Sequence, residues 1–200
     1  MKLNKNTISK PEFVRPLVRG EETIKTIFKQ PYARSHAAGW WSDLSTGIDK
    51  PLTNESIKAK EVLIMTELAE AVEGDRKNLM DDKLPHRKMV EVELADAVIR
   101  AMDLSGAMGS DINSFIIGEP DWTPEGYDYT FTDMIHYVCK MIFDGSLGGI
   151  KYTMISHLLI KWGDHNGYDV IDAMVEKMEF NSNRPDHKIE NRKGVGGKTY

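Results

Sequence analysis

Four carboxylates are written at a repeated spacing. Glu67 and Glu70 lie in TELAEAV, residues 66–72, and Glu93 and Asp96 lie in VELADAV, residues 92–98. On a helix, residues three apart share a face, so each pair projects to one side. A carboxylate taken out of water is costly unless something positive compensates it. Four converging carboxylates also repel one another, which raises their pKa values or demands a cation. Two partners satisfy that demand. One is a hard divalent ion such as Mg²⁺, which takes oxygen ligands and keeps several waters. The other is an internal salt-bridge network built around Arg100, one turn after Asp96. The residues alone leave both readings open.

The elements that must position these acids are helical. Asn54 is a plausible N-cap, and Ile57, Ile64, Leu68, Ala71 and Val72 form an apolar stripe at helical spacing up to about Leu79. The charged link MDDKLPHR with Pro85 interrupts it, and a second helix is expected from Lys88 to Ala107. There Val90, Val92, Leu94, Ala95, Ala97, Val98, Ile99, Ala101, Met102 and Leu104 surround the acids on all sides. A helix apolar all round belongs in an interior, so Glu93 and Asp96 are expected in or beside a core. Further helices are expected over FTDMIHYVCKMIF, over IKYTMISHLLIKWGDH, and from Asp169 to Phe180. Alternating β-type runs are scarce. The expected fold is an all-α helical bundle over residues 53–181, with 119–168 compatible with a helical insertion. Residues 1–52, with Pro11, Pro16, Pro31 and Pro51, read as an extended N-terminal arm, and 182–200 as a flexible basic C-terminal tail holding Arg184, Lys188, Arg192, Lys193 and Lys198.

Composition narrows the function classes. The formal net charge is −5, which argues against a general nucleic-acid binder. Cys139 is the only cysteine, so neither an intrachain disulfide nor a cysteine-based zinc cluster can form. No leader-like apolar region and no run of about eighteen apolar residues occurs, giving no membrane partner and a cytoplasmic setting as the expectation.

Glu67-Leu-Ala-Glu70, a spacer of twenty-two residues and Glu93-Leu-Ala-Asp96 resemble the ExxE…ExxD signature of the MazG-like all-α nucleoside triphosphate pyrophosphohydrolases. The stretches HAAGWWSDL, EGDRKNLMDDKLPHR and KMEFNSNRP resemble the phage and bacterial branch of that family. The resemblance covers most of residues 36–109 and 169–198. It implies a Mg²⁺-dependent enzyme, with Mn²⁺ as a substitute, that cleaves a (deoxy)nucleoside triphosphate to the monophosphate and pyrophosphate. Glu67, Glu70, Glu93 and Asp96 would be the metal ligands, and one of them would orient or deprotonate the attacking water. A homodimer or homotetramer is also implied, and the all-round apolar second helix agrees, since it needs enough partners to cover it.

A triphosphate needs cations besides the metal. The resemblance places Lys177, Asn181 and Arg184 on the phosphates, and Arg76 and Lys77 extend from the first acidic helix. The linker cations Lys83, His86, Arg87 and Lys88 fit a solvated basic patch better. His36, Trp40 and Trp41 are candidates for contact with the base, against the plainer reading of paired tryptophans as anchors of the arm. Asp103 lies on nearly the same side as Asp96 and is either a supporting acid or an exposed one.

Two other classes remain at this level. A di-iron carboxylate bundle would need Glu-x-x-His motifs, and Asp133 to His136 is the nearest element present. A non-enzymatic helical protein would use the same acids in structural salt bridges and its basic tail to hold a partner.

Overall fold

A computed structural model describes residues 21–110 and 130–194. Residues 1–20 of the expected arm, the SDINSFIIG and EPDWTPEGYDY stretches apart from Ser110, and Lys198 lie outside the described residues. The described elements are α1 (Glu21–Ala37), α2 (Asn54–Lys77), α3 (Met89–Ala107), α4 (Phe131–Phe143), α5 (Ile150–Asn166), α6 (Val170–Asn183) and the short α7 (Ile189–Arg192). Among the described residues there is no strand, only two isolated bridge pairs, Ser42 with Asp49 and Met80 with Lys88. The all-α expectation therefore holds. No helix among the described residues is long and apolar enough to cross a membrane.

α3 is the axis of the molecule. Its side chains Val90, Val92, Leu94, Ala95, Ala97, Val98, Ala101, Met102 and Leu104 are all buried, because α1, α2, α5 and α6 pack around it. A single chain thus covers the all-round apolar helix, so the packing reason for expecting a second copy is already met within one protomer.

α2 begins with Thr53 as N-cap, one residue earlier than expected. The Thr53 side chain accepts from the Ser56 amide while the Ser56 hydroxyl accepts from the Thr53 amide, a reciprocal capping box. At its far end Asn78 takes the left-handed conformation (φ 52°) and turns the chain into the link. In the link, the buried Asp81 carboxylate accepts from the Lys83 and Leu84 amides, and Leu84 plugs inward.

α2 and α3 run antiparallel. Gly74 meets Met89, and four turns earlier on α2 Lys60 meets Asp103, four turns later on α3. The contact at Gly74 is close: a Cβ there would lie 2.9 Å from both Met89 Cβ and the Val90 amide nitrogen. A glycine at this point lets the start of α3 settle against α2 and sets the register that brings the acids together.

Two expectations for the ends of the chain are corrected. Residues 21–37 form a helix rather than an extended arm. Pro31 removes one amide donor, but Ile24, Ile27 and Phe28 share a face and are buried in the core. Tertiary burial outweighs the one lost hydrogen bond. α1 also approaches α3 closely at Gly106, where a Cβ would fall 2.5 Å from Tyr32 Cβ. At the other end, the tail is docked through residue 192. The Arg192 guanidinium lies 3.4 Å from the centre of the Trp40 ring and donates to the Ala38 carbonyl at 2.8 Å, and the residue is buried.

Candidate functional site

The acids reach one place because of the antiparallel register. Glu67 comes from the middle of α2, Glu93 and Asp96 from the first half of α3. One carboxylate oxygen from each lies within 4.8 Å of the other two. Glu67 and Glu93 are buried. Glu70, the fourth acid of the pattern, is exposed and lines the same cavity without joining this tight group.

Two cations already lean on the cluster. Lys177, buried on α6, holds Asp96 through an Nζ to Oδ2 contact of 2.8 Å. Arg100 bonds Glu67 through its Nε. Glu93 makes no ion pair or hydrogen bond among the described residues. Burial, with the Asp96 carboxylate next in size, pushes the Glu93 pKa up to about 8. Burial also raises Asp96 to about 6 against the pull of Lys177. For Lys177, burial works against its charge, but the neighbouring Asp96 and Glu93 carboxylates prevail and hold the ammonium above its ordinary range.

The donor set suits a hard divalent cation. Three carboxylates from two rigid helices present oxygens at close quarters, and one of them, Glu93, is buried with no partner among the described residues. Glu67, Glu93 and Asp96 could hold such an ion, with Glu70 at the rim.

The cavity above the acids has a volume of about 970 Å³. Its walls come from α1, α2, α3, α6 and the docked C-terminal segment, and include Trp40, Lys83, Lys177, Asn181 and Arg184. The buried Asn181 Oδ1 has no hydrogen-bond partner among the described residues, and its amide stands at the cavity wall. Arg184 is held by its neighbour Asp186 at 2.7 Å.

Compared with protein-family models, curated proteins and solved structures, the chain matches none. Every assignment of a role to these residues therefore rests on the motif and on the geometry just described.

Four of the sequence candidates are placed away from the cavity. Arg76 and Lys77 are exposed at the C-terminal end of α2, where Lys77 pairs with Glu73. That end lies a full turn or more beyond Glu70, which is why their reach fails. His36 points instead to Asp49, at 3.0 Å. Trp41 is buried in the core, and its indole N–H donates to Asp103 at 2.7 Å. It is the anchor, and Trp40 is the member of the pair that borders the cavity, with Arg192 against one face and His187 at its edge.

The linker cations divide as well. His86 and Arg87 both bind Glu176, Arg87 also binds Glu91, and Lys88 binds Asn78, so these three fasten the link to α6, α3 and α2. Lys83 alone of the four lines the cavity, paired with Asp82. Asp133 is spent on the start of α4, where Thr130 donates to it at 2.7 Å.

The sequence reading missed the pair that closes the other end of the same seam. Lys60 and Asp103, both buried, meet at 3.2 Å, and Lys60 also sits 4.5 Å above the Trp41 ring. Burial raises the Asp103 pKa, opposed by Lys60 and Trp41. The signal was present as two lone charges on otherwise apolar faces. It became legible only once the antiparallel register put them opposite each other. Arg34, which donates to Ser182 at 2.8 Å and ties α1 to α6 across the cavity wall, was missed for the same reason.

Proposed function

We propose that this chain is a Mg²⁺-dependent hydrolase, with Mn²⁺ as a substitute, that cleaves a (deoxy)nucleoside triphosphate to the monophosphate and pyrophosphate. The observation that carries the reading is the convergence of Glu67, Glu93 and Asp96 at the floor of a nucleotide-sized cavity whose wall also holds Lys177, Asn181 and Arg184. The ExxE…ExxD spacing, similar to that of the MazG-like pyrophosphohydrolases, supplies the reaction type.

In this reading Glu67, Glu93 and Asp96 hold the cation and Glu70, the exposed acid, faces solvent where water enters. When bound, the ion neutralises phosphate charge and makes a coordinated water more acidic. The protein's own share is position and charge. α2 and α3 fix the carboxylates on rigid helices, so little freedom is lost when a ligand arrives. Lys177 and Arg184 offer positive charge to the phosphates, and Asn181 offers a neutral amide beside them. Glu70 is the exposed carboxylate of the four and is placed to accept a proton from water. Trp40 and the apolar wall residues Leu63, Ile99 and Met178 give the base an apolar surface.

The assay is direct. Incubation with a panel of dNTPs and NTPs, with Mg²⁺ and with EDTA, should release pyrophosphate from at least one nucleotide only when metal is present. If no nucleotide gives metal-dependent release, the enzyme reading fails. A second reading, a structural salt-bridge bundle, is favoured by the Arg100–Glu67 and Lys177–Asp96 pairs and would then stand.

A further inference from the structure

The cluster contains three acids and two built-in cations, and the two are not symmetric in their surroundings. Lys177 is buried, arrives from a different helix, and touches Asp96 at 2.8 Å. Arg100 sits on α3 itself, is about 40% exposed, and touches Glu67. Both contacts fall on carboxylates of the group that could hold a divalent ion. Glu67, Glu93 and Asp96 present their oxygens within 4.8 Å of one another, and a side-chain ammonium or guanidinium on the same carboxylates competes for that space and charge. Lys177 and Arg100 both line the cavity, so each has somewhere to go.

We propose that Lys177 and Arg100 are resident counter-ions that hold the acidic cluster together until a divalent cation displaces them, and that the same displacement hands their positive charge to the anionic end of the ligand. The inference rests on the cation reading of the site given above and adds to it a coupling between cation and anion. Without metal, Lys177 is committed to Asp96 and is a poor phosphate ligand. With metal, the carboxylates are satisfied and Lys177 is released into the cavity. Cation binding and anion binding are then linked, and each strengthens the other.

The test is equilibrium binding of Mn²⁺ alone, followed by calorimetry and by the metal-induced shift in melting temperature, neither of which needs turnover. Lys177→Met should bind Mn²⁺ about tenfold more tightly than the wild-type chain, since a competing charge is gone. The same variant should melt lower than wild type without metal and regain most of that loss with it. Arg100→Gln, at a half-exposed position, should tighten Mn²⁺ in the same direction by a smaller factor, and it keeps the proposal testable if Lys177→Met does not fold. Arg76→Gln, remote from the acids, controls for net charge and should leave affinity unchanged. Binding by wild type with equal or weaker binding by both variants overturns the counter-ion proposal and leaves the cation reading intact. Binding by none of the chains overturns both. Binding by the variants where wild type binds weakly or not at all supports the proposal.

Discussion

Two charged stations lie on the same α2–α3 seam, two turns apart. At one, Lys60 and Asp103 face each other, and Trp41 completes the acid's hydrogen bonding. At the other, three carboxylates share two cations, and Glu93 has no ion pair among the described residues. Both set buried carboxylates of this seam beside basic side chains. The balance of charge differs. A matched buried pair is a way of closing a seam, whereas a surplus of buried acid is a demand addressed to something outside the chain.

The largest effect expected from that contrast is on turnover. Glu70→Gln and Asp96→Asn should each lower kcat/KM by on the order of a hundredfold or more, with helicity by circular dichroism unchanged. If both retain activity, the unmatched station is not the site. Breaking the matched station should instead show in stability. Asp103→Ala strands the Lys60 charge, and denaturant unfolding should record a loss of about 3–5 kcal/mol. The double variant Lys60→Met, Asp103→Leu should recover most of it, because apolar groups can replace a buried pair. A double variant as weak as the single would mean the pair does more than close the seam.

A pH titration sharpens the same contrast. Folded Glu93 at about 8 and Asp96 at about 6 both lie above their ordinary values. The native chain therefore holds more protons than the unfolded one in that window, and metal-free stability should be highest below about pH 4 to 5 for these groups and decline as the pH rises to about 8. Melting curves should show the decline, and Glu93→Gln should flatten most of it. An unchanged slope in that variant would place the titration elsewhere. Next in size, Trp41→Phe removes one donor to Asp103 and should cost about 1–3 kcal/mol, less than Asp103→Ala. Smallest of all, Lys77→Ala at the solvated end of α2 should change stability by no more than about 0.5 kcal/mol and leave kcat/KM as it is, measured side by side with wild type.

The α2 and α3 helices, and the burial of Glu93, followed from periodicity, because both depend on which residues repeat along one helix. The position of Asp96 beside Lys177 did not, since it needs α6 to arrive from another part of the chain. Pro31 misdirected the reading of residues 21–37: one proline is a strong local signal, but Ile24, Ile27 and Phe28 at helical spacing carry more burial than it removes. Of the two tryptophans, neighbours in sequence with the same side chain, Trp41 faces the core and Trp40 the cavity, a distinction set by the turn after α1. The basic tail looked like a segment awaiting a ligand. Arg192 already has one in the Trp40 ring.

The antiparallel run of α2 against α3, fixed at Gly74 and at Lys60, places the two near-identical heptads head to tail. Position by position, Glu67 then corresponds to Glu93 and Glu70 to Asp96. The last two differ by one methylene, and α6 separates them further, because it lays Lys177 over Asp96 and leaves Glu70 exposed. The correspondence is broken at both positions: among the described residues Glu67 carries Arg100 where Glu93 carries no cation, and Asp96 carries Lys177 where Glu70 carries none, although all four acids line one cavity.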